Sequence, residues 1–165
     1  MTPAEGHPHV HLLCGLVCAG KTTLAKRLAA ELPAMRFSRD EWMLRLYGLR
    51  HDDARYVAAL TPCTRLIWDV ALDALRLGQN VIMDWNHWNP ERRAESRDRA
   101  QSAGFDVVLH YVDVPLEVAV ERARHRRADA AGDAHRIDEA GIRHFATIFQ
   151  PPTAAEDIPT VIHEP

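Results

Sequence analysis

The fold of this chain is decided by Gly15-Leu16-Val17-Cys18-Ala19-Gly20-Lys21-Thr22. This stretch fits the pattern G-x-x-x-x-G-K-[ST] at every fixed position, and its glycines let the backbone turn so that N–H groups point at phosphate oxygens. An apolar segment precedes it, and a segment with leucines four residues apart follows it. We expect the following segment to be a helix, and the positive end of its dipole would then also face the phosphate. The pattern predicts a loop that binds the phosphates of a nucleoside triphosphate.

The fixed positions of this loop have distinct predicted roles. Lys21 supplies a point charge to the β and γ phosphates, and the Thr22 hydroxyl is placed to ligate Mg²⁺. ATP and Mg²⁺ are accordingly the expected cofactors. The predicted ATP-binding residues are Gly15, Cys18, Ala19, Gly20, Lys21, Thr22 and Thr23.

The rest of the chain alternates between predicted strands and helices. Apolar, β-branched runs predict strands over 10–15, 35–38, 81–84, 106–112 and 160–162. Spacing and capping residues predict helices over 21–32, 40–47, 52–60, 61–77, 89–104, 115–127 and 138–149. Thr61 and Pro62 are expected as the N-cap and first residue of the fourth helix. This alternation predicts right-handed βαβ units around a parallel sheet, in one α/β domain spanning 1–165.

Composition excludes several classes of protein. A chain of 165 residues that is 47% apolar and 26% charged is neither disordered nor of low complexity. Its net charge of −3 argues against a broad nucleic-acid surface, although a local arginine cluster could still bind phosphate. Neither a membrane helix nor a signal peptide is predicted. Cys14, Cys18 and Cys63 form no C-x-x-C pair, so a reducing cytoplasm is the expected compartment.

The sequence favours transfer of the γ-phosphoryl group to a bound hydroxyl over hydrolysis. It lacks the guanine-reading N-K-x-D pattern, and Asp84 is followed by Trp85 rather than by a second carboxylate. Transfer to a hydroxyl needs a base, an acceptor site and cations. Asp40 follows the second predicted strand, at the sheet edge where the phosphate loop lies, and is the candidate base. An N-cap role for Ser38 or Asp40 is the alternative, and both roles can coexist.

Two further groups of polar residues are candidates for this reaction. Asp84 ends the third predicted strand at the same edge, with Asn86 two residues on; it is expected to bind the acceptor or, with Thr22, the metal, unless its role is structural. Arg122 and Arg126 are four apart on one helical face, at the start of a predicted lid over about 122–136. This face is expected to cover the phosphates; a solvated basic face is the alternative.

The histidines before the phosphate loop and the tryptophans after Asp84 each allow either a binding role or a structural one. His7, His9 and His11 alternate, so their imidazoles could line one strand face and bind a metal, but a ragged N-terminus is the preferred interpretation. Trp85 and Trp88 flank the Asp84 edge, where their rings either stack on an acceptor or pack within the protein.

With these residues in view, the chain resembles small bacterial P-loop kinases, ATP-binding proteins of the AAA and zeta-toxin-like type. It is most similar to the phage-type polynucleotide 5′-hydroxyl kinase domain, and it also resembles chloramphenicol phosphotransferase. The similarity runs from about His11 to Arg127 and includes Ser38-Arg39-Asp40 and Asn89-Pro90-Glu91-Arg92-Arg93. It implies a P-loop NTPase fold of nucleotide-kinase type, with about five parallel strands flanked by helices.

The resemblance also implies roles for individual residues. In that family the residue matching Asp40 is the general base, the one matching Arg126 contacts the phosphates, and the one matching Asp84 lies in the acceptor site. The predicted catalytic residues are Lys21, Asp40, Arg122 and Arg126, and the predicted acceptor-binding residues are Asp40, Asp84, Asn86 and Arg93.

One departure from the family bears on the acceptor. The family has an arginine three residues after its catalytic aspartate that grips an acceptor phosphate, and here that position is Met43. The expected acceptor is therefore the hydroxyl of a small molecule such as a nucleoside, a sugar or an antibiotic-like compound. A polynucleotide 5′-hydroxyl kinase and a non-catalytic ATP-sensing protein are the alternatives. No membrane partner is expected, and the oligomeric state is left open.

Overall fold

A computed structural model describes residues 7–50, 53–128 and 138–164, with the side chains of helix α5 described as far as His125. Its strands are β1 (His9–Gly15), β2 (Ala34–Ser38), β3 (Asn80–Asp84), β4 (Asp106–Val112) and β5 (Thr160–His163). Its helices are α1 (Lys21–Glu31), α2 (Arg39–Tyr47), α3 (Tyr56–Arg76), α4 (Pro90–Ser102), α5 (Leu116–Ala128) and α6 (Glu139–Ile148), and a 3₁₀ turn spans Ala154–Glu156.

The five strands are parallel and form one sheet in the order β2-β3-β1-β4-β5. β1 lies in the middle, and the chain turns to opposite sides of it to build the two halves of the sheet. Ligands of open parallel sheets bind at such a switch point, beyond the carboxyl ends of the strands. The pairing of Ser38 with Asp84 brings the ends of β2 and β3 together there.

Apolar side chains cover both faces of the sheet. On one face, Leu12 of β1 belongs to a buried cluster with Ile67 of α3 and Ala100 of α4. On the other, Leu13 of β1 packs in a cluster that includes residues of α1, α5 and α6, such as Leu28. Because β1 buries both of its faces, the consecutive residues Leu12 and Leu13 are both apolar although they lie on opposite faces of the sheet. The predicted α/β fold with a parallel sheet is confirmed.

The predicted helix start at Thr61-Pro62 is wrong. α3 runs without a break from Tyr56 to Arg76, with Pro62 inside it. A proline lacks its backbone N–H and so removes one intrahelical hydrogen bond. The same helix buries seven side chains, Tyr56 and Cys63 among them. Burial on both sides of Pro62 offsets that local cost, so the predicted helices over 52–60 and 61–77 are parts of one element.

The histidines of β1 take partners from other strands. His9 and His11 lie within β1, so a ragged N-terminus is the wrong interpretation for them. His11 Nδ1 is 2.9 Å from His110 Nε2, and His110 Nδ1 is 3.0 Å from His163 Nε2. Burial lowers the pKa of His11 and of His110 to about 4, which keeps both imidazoles neutral. In the described part of the chain, no group of three or more His, Cys, Asp or Glu side chains is arranged to hold a metal ion.

None of the described helices is both long enough and apolar enough to cross a membrane.

Candidate nucleotide and acceptor site

The phosphate loop begins where β1 ends, and its backbone conformation requires glycine at two positions. Gly15 has a φ of +143°, and a Cβ there would lie 2.6 Å from the carbonyl oxygen of Val112 in β4. Gly20 has a φ of +105° and immediately precedes α1. Any side chain at Gly15 would therefore push β4 away, and any side chain at Gly20 would be strained.

Lys21 is held by the loop itself. Its Nζ donates hydrogen bonds to the carbonyl oxygens of Gly15 and Leu16, at 3.0 and 2.7 Å. Burial lowers the pKa of Lys21, and the nearby Asp84 and Asp40 carboxylates oppose that shift. The two candidate carboxylates thus both act on the phosphate-loop lysine, as expected if they lie at one edge of the sheet.

Asp84 lies at the centre of a charged network beside the loop. Its Oδ1 accepts a hydrogen bond from the Thr22 hydroxyl at 3.2 Å, and its Oδ2 accepts one from Arg36 Nη1 at 2.7 Å. Arg36 Nη2 also donates to both oxygens of Glu41, at 2.7 and 2.9 Å. Burial raises the pKa of Asp84, with Arg36 and Thr22 opposing that effect. One guanidinium therefore joins Asp84 to α2.

The residues available for a magnesium ion are Thr22 and Asp84. Their hydroxyl and carboxylate oxygens meet at 3.2 Å, and oxygen ligands are what Mg²⁺ prefers in proteins. The donor set therefore fits the ion, with Arg36 sharing the second carboxylate oxygen.

Asp40 lies in the first turn of α2, beyond the end of β2. The N-cap of this helix is Ser38, whose hydroxyl accepts from the backbone N–H of Glu41 at 3.5 Å. Ser38, and not Asp40, therefore has the N-cap role, for which the sequence offered both residues. Its side chain is exposed, and its Oδ1 accepts a hydrogen bond from the Tyr56 hydroxyl at 3.0 Å. This contact ties the start of α3 to the candidate base.

Two arginines lie on tryptophan rings at the same edge. The guanidinium carbon of Arg39 is 5.6 Å from the centre of a Trp85 ring, and that of Arg92 is 5.5 Å from the centre of a Trp88 ring. The Nε of Arg39 is buried and has no hydrogen-bond partner among the described residues. Such cation–π contacts are typical of arginine at partly exposed sites.

Arg93 does not lie in the acceptor site predicted for it. Its side chain is fully buried, and its Nη2 donates to Glu156 at 2.8 Å. Its Nη1 donates to the carbonyl oxygens of His87 and Gln150, at 2.8 and 2.9 Å. With every nitrogen occupied and no exposed surface, Arg93 joins the C-terminal segment to the core and has nothing left with which to contact an acceptor. Asn86, the other predicted acceptor residue after β3, is half-buried.

Of the two arginines predicted to cover the phosphates, Arg122 and Arg126, the structure describes the side chain of Arg122. Nη1 of Arg122 donates to the carbonyl oxygen of Ala19 at 2.6 Å, so this guanidinium lies on the phosphate loop. The side chain of Arg126 and positions 129–136 of the lid predicted over about 122–136 lie outside the described residues. Thr23 lies at an exposed position in the first turn of α1. Arg122 and Thr23 line a cleft of about 450 Å³ together with Cys18, Ala19, Gly20, Leu24, Arg27, Val112, Val114, His163 and Glu164.

Reasoning from the sequence missed Arg36, Arg39 and Tyr56. Arg36 and Arg39 flank the predicted strand end that contains Ser38, so their position next to Asp40 was visible in the sequence. Tyr56 is 16 residues from Asp40, and no local pattern indicates that contact.

Comparisons with known proteins agree with this geometry. A family model described as an AAA domain matches residues 10–152. The chain belongs to this AAA-domain family. The phosphate loop, the parallel sheet and the family together make it an ATP-binding P-loop protein of the kinase type, which confirms the resemblance noted from the sequence.

Individual relatives of this AAA-domain protein share less than a third of its sequence. It is 28% identical over 158 residues to the adenylyl-sulfate kinase of Myxococcus xanthus, covering 92% of this chain and 79% of that one. A crystal structure from Chloroflexus aurantiacus has a TM-score of 0.75 at 21% identity, covering 98% of this chain and 87% of the other. A chain of the Pnkp1/Rnl/Hen1 RNA repair complex has a TM-score of 0.68 at 20% identity, covering 89% of this chain and 46% of that chain. The two structural similarities concern the fold.

Proposed function

We propose that this protein is an ATP- and Mg²⁺-dependent phosphotransferase that moves the γ-phosphoryl group of ATP to a hydroxyl group of a small molecule. The observation that supports this most is the position of the two carboxylates: Ser38 at the end of β2 pairs with Asp84, Asp40 follows two residues later, and Asp84 contacts Thr22 of the phosphate loop at 3.2 Å. A protein that only binds ATP needs no exposed carboxylate on the acceptor side of its phosphate loop.

The reaction assigns one role to each group. The acceptor hydroxyl oxygen bonds to the γ-phosphorus while the bond from that phosphorus to the β–γ bridging oxygen breaks, and ADP leaves. Asp40 receives the hydroxyl proton, and the Tyr56 hydroxyl holds the carboxylate in place at 3.0 Å. Lys21 and Arg122 lie where they can stabilise negative charge on the phosphates.

Thr22 and Asp84 would hold the magnesium ion in this proposal. When bound, Mg²⁺ neutralises charge on the β and γ phosphates and so lowers the barrier to transfer. Arg36 keeps Asp84 oriented toward Thr22 by occupying the other carboxylate oxygen at 2.7 Å.

The cleft of about 450 Å³ beside α1 is the proposed site for the nucleoside part of ATP. It opens next to Gly20 and Thr23, which are part of the phosphate loop and the first turn of α1. A nucleotide whose phosphates lie on the loop, next to Arg122, would place its base near Arg27 and His163.

ADP release across nucleosides, sugars, hydroxylated antibiotics and a 5′-hydroxyl oligonucleotide tests this proposal. We expect at least one small alcohol to be phosphorylated, and Asp40→Asn to lower turnover with that alcohol about 10²- to 10⁴-fold while leaving ATP affinity unchanged. The matched control is Asp73→Asn, an exposed aspartate on α3 that pairs with Arg76.

Three outcomes would contradict this proposal. Unchanged turnover in Asp40→Asn would remove Asp40 as the base. Efficient labelling of the oligonucleotide would favour the polynucleotide kinase alternative. Failure of every acceptor, with ATP still bound, would favour an ATP-sensing protein.

A further inference from the structure

We propose that Arg39 and Arg92 form an anion-binding site beside Asp40, and that the acceptor is an alcohol carrying a phosphate, sulfate or carboxylate group. This inference rests on the proposed function, because it concerns the acceptor of that same reaction. It differs from the expectation drawn from Met43, which pointed to an acceptor without a phosphate.

Arg39 has hydrogen-bonding capacity that the protein does not use. Its Nε is buried without a partner among the described residues, and its guanidinium lies on Trp85 at 5.6 Å. A buried donor without a partner costs about 1–3 kcal/mol, so such groups are rare unless a ligand or water satisfies them. Trp85 is itself buried, so the ring on which the guanidinium lies is held by the core.

Arg92 adds a second positive charge close to the first. It lies in the first turn of α4, and its guanidinium lies on Trp88 at 5.5 Å. Burial lowers the pKa of Arg39; the Asp40 carboxylate opposes that effect and the positive charge of Arg92 adds to it. Two guanidiniums within electrostatic range of each other at one edge favour an oxyanion between or beside them.

Arg36 and Arg93 differ from Arg39 and Arg92 because carboxylates neutralise their charges. Arg36 pairs with Asp84 and Glu41, and Arg93 pairs with Glu156. Within the described part of the chain, neither Arg39 nor Arg92 forms a salt bridge with a carboxylate. The Asp40 carboxylate stabilises the charge of Arg39, and each of the two guanidiniums lies on an aromatic face.

The position of this pair fits the acceptor and not the nucleotide. Arg39 directly precedes Asp40 at the start of α2, and Arg92 follows β3 on the next element, whereas Arg122 and Arg27 line the cleft on the other side of the phosphate loop. Met43, at the position where related kinases carry an arginine, is completely buried and cannot contact an acceptor. Arg39 and Arg92 would take over the role of holding the acceptor's anionic group.

The kinetic test uses pairs of alcohols that differ by one anionic group: glycerol with glycerol 3-phosphate, glucose with gluconate, and adenosine with adenosine 5′-phosphate. We expect the anionic member to be preferred at least about 10-fold in kcat/KM in at least one pair. In Arg39→Gln, the KM of that anionic alcohol should rise about 10- to 100-fold while the affinity for ATP stays the same. Arg39→Lys should recover part of the loss. The control is Arg45→Gln, an exposed arginine on the same helix.

A binding measurement separates this inference from the proposed function. With the phosphate loop saturated by a non-hydrolysable ATP analogue, inorganic sulfate is titrated while tryptophan fluorescence is recorded, because Trp85 and Trp88 underlie the two arginines. We expect a saturable change that Arg39→Gln abolishes and Arg45→Gln retains. Absence of that change in the wild-type protein, or its persistence in folded Arg39→Gln, overturns the anion site whatever the activity. A saturable change without any phosphorylated product overturns the proposed function alone.

Discussion

Arg39 follows the end of β2 and Arg93 follows the end of β3, and the surroundings of the two side chains differ. Arg93 is fully buried, pairs with Glu156, and also donates to the backbone at His87 and Gln150. Arg39 lies on an aromatic ring and has a buried Nε without a partner. An arginine whose donors are all occupied holds parts of the chain together, and one with an unused donor is available to a ligand.

Whether all donors of an arginine have partners distinguishes structural from ligand-binding arginines better than sequence position does. Arg92 and Arg93 are adjacent in one motif, yet Arg92 lies half-buried on Trp88 while Arg93 lies in the interior. Neighbouring residues on a helix point about 100° apart, so Arg92 reaches the Trp88 ring and Arg93 reaches the core.

The largest effect on stability is expected for Arg93→Ala. It leaves the Glu156 carboxylate without its main partner and two carbonyl oxygens unbonded. Breaking a buried ion pair from one side costs about 3–5 kcal/mol of unfolding free energy. Denaturant unfolding measures this loss, with Arg76→Ala as the control, since its exposed pair with Asp73 contributes about 1 kcal/mol or less. Equal stability of the two variants would contradict the structural role of Arg93.

An intermediate effect is expected for His11, His110 and His163. The rings of these residues contact one another in a row, so the ring nitrogens that face each other have partners, as the nitrogens of Arg93 do. The pKa of His11 and of His110 is about 4 in the folded protein against an ordinary value of 6.5. As pH falls below 6.5 the unfolded chain therefore takes up protons that the folded protein does not. Stability is full above that pH and is lost as pH falls toward 4, by at most about 1.4 kcal/mol per pH unit for each group.

His110→Gln tests this dependence. It should lower the unfolding free energy at pH 7 by about 1–3 kcal/mol, because His11 and His163 each lose a partner. It should also flatten the pH dependence of the unfolding free energy between pH 6.5 and 4, as followed by thermal or urea unfolding. The exposed His144→Gln should keep the wild-type slope. A slope unchanged in His110→Gln would assign the acid sensitivity to other groups.

The smallest change in stability is expected for Arg39→Ala. It removes a cation–π contact worth about 0.5–2 kcal/mol and at the same time removes a buried donor without a partner, which costs about 1–3 kcal/mol. The two effects oppose each other, so the unfolding free energy should change by about 1 kcal/mol or less. A loss as large as that of Arg93→Ala would mean that Arg39 also holds the structure together.

The sequence predicted the elements whose signals are local. The phosphate-loop pattern and the β-branched runs locate the strands and the nucleotide side of the site, because both depend on residues a few positions apart. The same reasoning placed Asp40 and Asp84 at one edge, since parallel strands end together there.

Long-range pairing explains what the sequence did not predict. Arg93 and Glu156 are 63 residues apart, and His11 and His110 are 99 apart, so no local pattern indicates either contact. At Thr61-Pro62 the local pattern itself was misleading. It predicts the start of a helix, but burial along the whole of α3 keeps one helix continuous through this position.

Arg36 has a consequence for how the two halves of the site work together. It spans the gap between Asp84 beside Thr22 and Glu41 on the helix that contains Asp40. Any cation that reaches Asp84 has to share that carboxylate with Arg36, and whatever weakens this contact also loosens the support of α2. In the proposed reaction, loading of the metal at Asp84 and the position of Asp40 would therefore be thermodynamically linked, and each would change the free energy of the other by the same amount.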